Sequence, residues 1–290
     1  MKPAPFSYAA PKSLEEVFDL IELADGNARL LAGGQSLIPM LNLRQLRPAA
    51  LIDLTRVSEL SRLRREGGDL HLGAMVRHSE VESSSFVAKT HSILGRAASE
   101  IGHAAIRNRG TIGGSLALGD PAGEFPLVAA ILGASITLRS RTRTRAVSAA
   151  DFYFGAFRSV IEPDEILTEV AFPALPPRTT WGFQELCRRP HDFAIAAVGA
   201  TITFDSHGRI SRAAIGLGGV DETVILAADA AASLIGTEGT KTSIAVAAQA
   251  ASLECKPVSD VRASADYRRQ ITRVLTARVL QEAVEKSKAS

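Results

Sequence analysis

The sequence is poor in cysteine: Cys187 and Cys255 are the only two among its 290 residues, and no C-x-x-C motif is present. This scarcity excludes the usual cysteine ligand sets of iron–sulfur clusters and structural zinc sites, and it gives no basis for a disulfide framework. We therefore expect the chain to work in a reducing compartment and to hold no metal of its own.

The sequence also lacks a long apolar run and an excess of charge of either sign. Its first residues, MKPAPFSYAAPKS, contain three prolines and no apolar h-region, so they predict neither a signal peptide nor a membrane anchor. The 33 basic and 31 acidic residues leave a formal net charge of +2, so no overall field attracts nucleic acid or a membrane surface. We expect a cytoplasmic protein with no integral membrane segment and no nucleic-acid partner.

What the sequence does contain is typical of a globular protein with two or three packed subdomains, since 46% of its residues are hydrophobic and 22% are charged. Ser13 and Glu16 form a capping-box pattern ahead of a helical apolar spacing. The stretches ARLLAGG and AALIDLTRV then predict two buried strands, and with the first helix they indicate a small β/α unit. The first Gly-Gly pair therefore follows the carboxyl end of a strand.

Later segments predict short strands, helices and a division into domains. We predict helices over 79–84 and 85–101, and a linker in ALPPRTT that separates residues 1–177 from residues 178–290. The first domain has subdomains of about 1–56 and 57–177. The second has strands in FQELCRR, AIAAVGATITF and RAAIGLGG, followed by helices over the ranges 222–235, 241–253 and 263–286.

Two glycine stretches carry the chemistry: LLAGGQSLIP at 30–39 and RGTIGGS at 109–115. Glycine permits a positive φ and has no Cβ, so successive backbone amides can converge on an anion. Each stretch also carries hydroxyl groups, from Ser36 in one and from Thr111 and Ser115 in the other, and two such loops suit a diphosphate better than a single phosphate. Neither is a G-x-G-x-x-G fingerprint or a P-loop, and the alternative for each is an ordinary tight turn.

Two further motifs have simpler interpretations. The stretch IGLGGVDE has Asp221 where a third glycine would stand, so it predicts a strand-to-helix turn rather than a second dinucleotide site. The run RSRTRTR, at 139–145, alternates so that its four arginines would share one face of an extended strand. We favour a solvated sheet edge here, with a docking face for an acidic partner as the alternative.

Six blocks in order resemble one known family: AGGQSLIPML, LHLGAMVRHSEVE, IRNRGTIGGSLALGDPAGEFP, EILTEVAFP, CRRPHDFAIAAVGA and ADYRRQITRVLTARVL. They are similar to the medium, FAD-binding subunit of the molybdenum hydroxylases, the carbon monoxide dehydrogenase and xanthine dehydrogenase group. The resemblance spans nearly the whole chain. It implies an α+β fold in which a two-subdomain FAD-binding domain of the PCMH type precedes a C-terminal domain with a small antiparallel sheet and a helix cluster.

The resemblance also implies the residues that bind FAD. The pyrophosphate would lie between two segments, Ala32, Gly33, Gly34, Gln35, Ser36 and Leu37 on one side and Gly110, Thr111, Gly113, Gly114 and Ser115 on the other. Gly123 and Glu124 fall near the ribityl or ribose hydroxyls, which a carboxylate can bind. The remaining implied contacts to the cofactor are His78, Ile101, Leu167, Asp192 and Phe193.

Several of these assignments have structural alternatives, and the sequence departs from the family in two places. His78 is equally well explained as a surface or hydrogen-bonding residue, and Phe193 as a strand residue in the core of the second domain. Many relatives carry a lysine ahead of the Arg-Arg pair where this chain has Gln184 and Glu185, so the resemblance does not assure a direct positive charge near the flavin carbonyls. Ser115 replaces the asparagine frequent after Gly-Gly.

The function implied by the resemblance is that of a flavoprotein oxidoreductase subunit that transfers electrons and has no catalytic acid or base of its own. FAD would belong to this chain, whereas iron–sulfur clusters and the molybdenum cofactor would belong to a small and a large partner subunit, in a dimer of heterotrimers. Two alternatives are a stand-alone flavin-dependent oxidase with its own substrate pocket and a non-catalytic dinucleotide-binding protein.

Overall fold

The computed structural model describes residues 2–289, in which helices and strands alternate without a long irregular segment. The strands are β1 (Ser7–Ala9), β2 (Ala28–Leu31), β3 (Ala50–Asp53), β4 (Leu63–Glu66), β5 (Asp69–Gly73), β6 (Ser135–Arg139), β7 (Thr144–Ser148), β8 (Tyr153–Gly155), β9 (Arg158–Ser159), β10 (Ile166–Phe172), β11 (Thr179–Leu186), β12 (Ala196–Phe204), β13 (Ile210–Gly218) and β14 (Ile225–Leu226). The helices are α1 (Leu14–Leu23), α2 (Leu37–Asn42), α3 (His78–Ser83), α4 (Ser85–Thr90), α5 (Ser92–Glu100), α6 (Ala104–Arg107), α7 (Ile112–Leu118), α8 (Glu124–Ile131), α9 (Ala228–Ala232), α10 (Lys241–Glu254) and α11 (Ala265–Ala289).

The first part of the chain forms the predicted β/α unit. Strands β1, β3 and β2 make a parallel sheet in that order, with α1 connecting β1 to β2. The Ser13 side chain accepts a hydrogen bond from the Glu16 amide and so begins α1, as expected of an N-cap. Val17 and Phe18 of this helix pack with Ile52 in a small core. The carboxyl end of β2 therefore delivers the first glycine stretch to the sheet edge.

A five-stranded antiparallel sheet, in the order β4-β5-β10-β6-β7, forms the centre of the molecule and packs against α5 and α8. The single helix predicted over 85–101 is wrong, because the structure divides it into α4 and α5 at His91. This histidine is buried against Phe172, and its Nε2 lies 2.9 Å from the Pro173 carbonyl oxygen. A tertiary contact from β10, which local periodicity does not report, interrupts the helix.

The run of arginines also differs from the prediction of one extended strand. Arg139 ends β6, Arg145 lies in β7, and the chain turns between them, so the four side chains do not share one strand face. Strand β7 is an edge of the central sheet, as the favoured interpretation requires. Arg141 pairs with Asp19 and Glu22, so intramolecular carboxylates occupy part of the surface that the docking alternative needs.

The C-terminal part is a four-stranded antiparallel sheet, in the order β11-β12-β13-β14, covered by α9, α10 and α11. It joins the central core directly: a Cβ atom at Gly216 would lie 2.5 Å from Ile131 of α8. The helix predicted over 222–235 is wrong in its first half, because Ile225–Leu226 pairs with β13 as β14. For the same reason the IGLGGVDE stretch turns into a strand and not into a helix.

Within residues 2–289, no helix is both long enough and apolar enough to cross a membrane.

Candidate functional site

The first glycine stretch presents a row of unpaired backbone amides. Throughout 32–37, where β2 ends and α2 begins, no backbone N–H has a hydrogen-bond partner among the described residues. Gly34 has φ +72°, a left-handed conformation that favours glycine. Ser36 stands at the start of α2 without a side-chain capping bond, so its hydroxyl is also available. Successive free amides of this kind form an anion-binding concavity.

The two glycine stretches are in direct contact with each other. A Cβ atom at Gly33 would lie 2.2 Å from the Arg109 carbonyl oxygen and 2.7 Å from the Cα of Gly110. A Cβ atom at Gly114 would lie 3.5 Å from the Cβ of Ala32. Residues 32–37 and 109–115, which we call the glycine cradle, are therefore adjacent, and the segments meet so closely that only glycine fits at the contact.

The second stretch does not form the loop that the sequence predicts, because Gly113 and Gly114 lie in the first turn of α7. Their helical φ shows that glycine is needed here for close approach and not for a positive φ. A Cβ atom at Gly113 would lie 2.5 Å from the Cβ of Ala74. Thr111 begins the helix, and its buried hydroxyl oxygen accepts from the Gly114 amide at 3.1 Å.

Most backbone amides of this second stretch are already satisfied within the protein. The Ile112 amide donates to the Val76 carbonyl at 3.0 Å, and the Gly113 amide donates to the Ala74 carbonyl at 2.9 Å. The prediction was that backbone amides of both stretches bind the pyrophosphate. In residues 32–37 the amides are free to do so. In residues 110–115 only the Thr111 amide is free, because it has no partner in the described chain.

Two arginines beside the glycine cradle were absent from the predicted site. The Arg77 guanidinium donates to the Arg109 carbonyl oxygen, next to Gly33. The Arg109 guanidinium makes no hydrogen bond or ion pair to another described residue, which leaves it available for a diphosphate. Arg109 stands in the IRNRG block directly before Gly110, but its position in the sequence does not distinguish it from an ordinary surface arginine.

His78 is a buried residue of α3, so the interpretation of His78 as a surface residue is wrong. Its side chain is 6% exposed, and its ring packs edge-on against Phe125 with centroids 5.0 Å apart. A Cβ atom at Gly110 would lie 2.7 Å from the ring, which places His78 directly behind the glycine cradle. Burial lowers the pKa of His78 to about 4, and the nearby Thr111 backbone only partly offsets this lowering. Neither ring nitrogen has a hydrogen-bond partner among the described residues.

Two carboxyl side chains, those of Glu124 and Glu185, have strongly raised pKa values. Glu124, the first residue of α8, has its carboxyl group surrounded by protein although the residue is partly exposed. Burial, and then the charge of Glu185, raise its pKa to about 8. Burial raises the pKa of Glu185 to about 7. Ile101, which follows Glu100 at the end of α5, packs against the same central core as the buried Leu167.

Asp192 and Phe193 lie in the loop between β11 and β12. Phe193 is 63% exposed, so its alternative interpretation as a strand residue in the core is wrong. It lines a cavity of about 600 Å³ together with Phe157, Ala122 and Arg268. The Ile195 amide donates to the Leu186 carbonyl at 2.7 Å and fixes the base of the loop. An exposed aromatic ring at the mouth of a cavity is suited to contacting a planar ligand.

This arrangement can be compared with known proteins. Residues 4–175 match the family model of the FAD binding domain in molybdopterin dehydrogenase, and residues 181–283 match that of the CO dehydrogenase flavoprotein C-terminal domain. The chain belongs to this family of FAD-binding molybdenum hydroxylase subunits. The resemblance seen in the sequence, the α+β fold, the FAD cofactor and the oxidoreductase class are thereby confirmed.

Several relatives of this flavoprotein are similar to it along almost their entire length. The chain is 38% identical to the 6-hydroxypseudooxynicotine dehydrogenase complex subunit alpha of Paenarthrobacter nicotinovorans, over 99% of this chain and 97% of the relative. It is 35% identical to the carbon monoxide dehydrogenase medium chain of Hydrogenophaga pseudoflava, over 98% of each. The structure of quinoline 2-oxidoreductase from Pseudomonas putida 86 matches with a TM-score of 0.94 and 38% identity, over 99% of each chain.

The residues of the glycine cradle fit the diphosphate of FAD. The free amides at 32–37 can donate hydrogen bonds to the oxygens of a phosphate. Because Gly33 and Gly110 have no side chains, the two backbones lie close enough to bind one diphosphate. Arg109 adds the positive charge that a diphosphate requires. The chemistry of the glycine cradle is therefore compatible with the FAD cofactor of the family.

Proposed function

We propose that this flavoprotein is the electron-transfer subunit of a molybdenum hydroxylase complex. It takes electrons from iron–sulfur clusters on a partner subunit and passes them to an external acceptor. The observation that carries the proposal is the contact of the two glycine stretches at Gly33 and Arg109, which builds one dinucleotide cradle from distant parts of the chain. Bound FAD supplies the redox chemistry, and the protein positions and tunes it.

Each predicted site residue has a role in this proposal, and that of Gly113 and Gly114 is to let α7 approach Ala74 and Ala32 closely. The amides of residues 32–37, the Ser36 and Ser115 hydroxyls and the Arg109 guanidinium bind the pyrophosphate. Thr111 holds the first turn of α7 in place, and His78 supports Gly110 from behind. The remaining predicted residues lie toward the sugar and ring end of FAD, namely Ile101, Gly123, Glu124, Leu167, Asp192 and Phe193.

The proposed partners follow from what this chain does not supply. The described residues contain no group of three or more His, Cys, Asp or Glu side chains arranged to hold a metal ion. Electron delivery therefore depends on an iron–sulfur small subunit, and substrate oxidation on a molybdenum large subunit. We propose that these form a dimer of heterotrimers in the cytoplasm, with the division of this chain near residue 177 separating the FAD domain from the C-terminal domain.

Purification of the native complex through a tag on this chain tests the proposal. We expect one non-covalent FAD per chain, released into the supernatant by acid, and co-purification of a cysteine-rich chain and a large chain. The stand-alone oxidase predicts a different result, namely a free monomer that retains FAD and oxidises a small substrate unaided. Finding FMN, or no flavin in the intact complex, would also overturn the proposal.

A further inference from the structure

The cavity that Phe193 lines is not explained by the proposed function. It has a volume of about 600 Å³, which is large enough for a small aromatic molecule. Of the residues predicted to bind FAD, only Asp192 and Phe193 line it, and no residue of the glycine cradle does. Five separate segments meet at this cavity, at residues 120–122, 156–157, 192–194, 219–222 and 256–262.

Two exposed phenylalanine rings stand on strained backbone at this cavity. Phe157, in the turn between β8 and β9, is 58% exposed and has φ +58°, and its amide donates to the Gly119 carbonyl at 2.9 Å. Phe193 follows His191, which has φ +64°. Left-handed backbone costs free energy in residues other than glycine and is found most often at ligand sites. Because neither exposed ring fills the core, packing does not explain this strain.

Four carboxylates at the cavity form no ion pair with any other described residue. They belong to Asp120, Asp192, Asp221 and Glu222. A backbone amide donates to one oxygen of each of the three aspartates, at 2.8–2.9 Å, and so fixes the carboxylate in place. The second oxygen of each aspartate has no hydrogen-bond partner in the described chain, so it is available to a ligand.

The cations at the cavity do not balance these carboxylates. Arg268 and Arg262 both pair with Asp260, at nitrogen–oxygen distances of 2.8 Å and 3.2 Å. Arg268 is buried, and its guanidinium also donates to two backbone carbonyls. Four carboxylates therefore face Lys256 and the one arginine charge that Asp260 does not neutralise. The cavity carries a net negative charge.

We propose that this cavity binds a planar aromatic cation, a ring system that carries a quaternary nitrogen. The faces of Phe157 and Phe193 attract such a cation through their π electrons and stack on its ring. The fixed carboxylates supply the opposite charge, whereas they repel an anion of the same shape. The inference goes beyond the proposed function and does not rest on it, because it needs neither electron transfer nor a partner subunit.

The test measures binding to the native flavoprotein, purified with FAD bound, by isothermal titration calorimetry at about pH 8. Three probes of the same two-ring size differ in charge: N-methylisoquinolinium is a cation, isoquinoline is neutral and 2-naphthoate is an anion. Hydrogen exchange with and without the cation locates the site that it occupies.

Two variants, each with a matched control, separate the contributions of the rings and the charges. Phe157→Ala removes one ring, and Phe154→Ala is its control, because Phe154 lies in the same hairpin and is similarly exposed but does not line the cavity. Asp221→Asn removes one charge and keeps the oxygen to which the Glu222 amide donates. Its control is Asp266→Asn, at an exposed position of α11 outside the cavity.

We expect one cation bound per chain, with slower exchange of residues 153–159, 188–195 and 256–262. The anion should bind at least about tenfold more weakly than the cation. Phe157→Ala should weaken binding of the cation about five- to tenfold, and Asp221→Asn about threefold, with the second effect reduced at high salt. Both controls should keep the wild-type affinity. Equal FAD content in all variants establishes that they fold.

Equal affinity of the wild type for the cation and the anion would overturn the proposal, as would equal affinity of Phe157→Ala and Phe154→Ala for the cation. Binding of the cation only after FAD is removed would assign the cavity to the flavin and would overturn the proposal as well. None of these results decides the electron-transfer proposal, which FAD content and co-purification test separately.

Discussion

Gly33 lies against the backbone carbonyl of Arg109, at a distance that leaves no space for a side chain. A Cβ atom at Gly33 would approach that oxygen to 2.2 Å, well below any van der Waals contact. Two segments more than seventy residues apart meet at this point through their backbones. The two segments can come this close only because residue 33 has no Cβ atom. A diphosphate that bridges them depends on this spacing.

Gly33→Ala should consequently separate the two stretches and abolish retention of FAD in the purified complex. Neither neighbour of the new methyl group is a flexible side chain, so the backbone itself must shift. Gly95→Ala is the matched control, because a Cβ atom at this α5 position would meet only ordinary contacts at 3.7 Å. Alanine in a helix stabilises by about 0.5–1 kcal/mol relative to glycine, so the control should retain FAD. Full flavin content in Gly33→Ala would show that the contact does not set the site.

The buried His78 should make stability depend on pH in acid. Its pKa is about 4 in the folded chain, below its ordinary value of 6.5, so protonation favours the unfolded state. The stabilising contribution is complete above about pH 6.5 and is lost as the pH falls toward 4, to an extent on the order of 3 kcal/mol. Urea unfolding at pH 7, 5 and 4 gives the unfolding free energy of the wild type minus that of His78→Gln. This difference should fall by that amount between pH 7 and pH 4.

Much of this fold could be predicted because its signals are local. The Ser13 N-cap, the β/α unit and the strands β10 to β13 follow from capping residues, apolar periodicity and turn residues. The errors occur where a distant segment decides the structure. Strand β14 exists because β13 pairs with it, and α4 and α5 separate because His91 reaches Pro173.

The site was predictable to a different degree in each of its parts. Glycine-rich stretches are visible in the sequence itself. Residues 32–37 and 109–115 could therefore be proposed as two parts of one diphosphate site from the sequence alone. The electrostatic influence of Glu185 on Glu124 could not, because the two residues share no motif and interact only in the folded chain.

The arginine run should contribute unequally to stability. Arg145 donates from Nε and Nη2 to the two Glu165 oxygens at 2.7 Å each, and the Glu165 side chain is 1% exposed. The Arg145 side chain that covers this carboxylate is itself partly exposed, so solvent screens the ion pair. We therefore expect Arg145→Met to lower the unfolding free energy by about 1–2 kcal/mol. Arg141→Met, which removes only pairs to the exposed Asp19 and Glu22, should cost much less. Urea unfolding of both variants tests the order, and equal losses would contradict it.

Arg268 of α11 should anchor the loop that carries Phe193. Its Nη1 donates to the Ile195 carbonyl at 2.6 Å and to the Gly219 carbonyl at 2.9 Å, and its Nη2 lies 2.8 Å from Asp260. A planar guanidinium can reach these three partners at once, whereas the single ammonium of a lysine cannot.

Arg268→Lys should therefore leave buried acceptors unsatisfied and lower the unfolding free energy by about 2–4 kcal/mol. The adjacent Arg269→Lys is the matched control, because Arg269 makes only an exposed contact of 3.4 Å with Asp266. Hydrogen exchange of residues 188–195 gives the decisive measurement. In Arg268→Lys these amides should exchange faster than in the control, since the loop base at Ile195 loses its anchor. Equal exchange in the two variants, with stability reduced only in the first, would mean that Arg268 stabilises α11 without positioning Phe193 at the cavity.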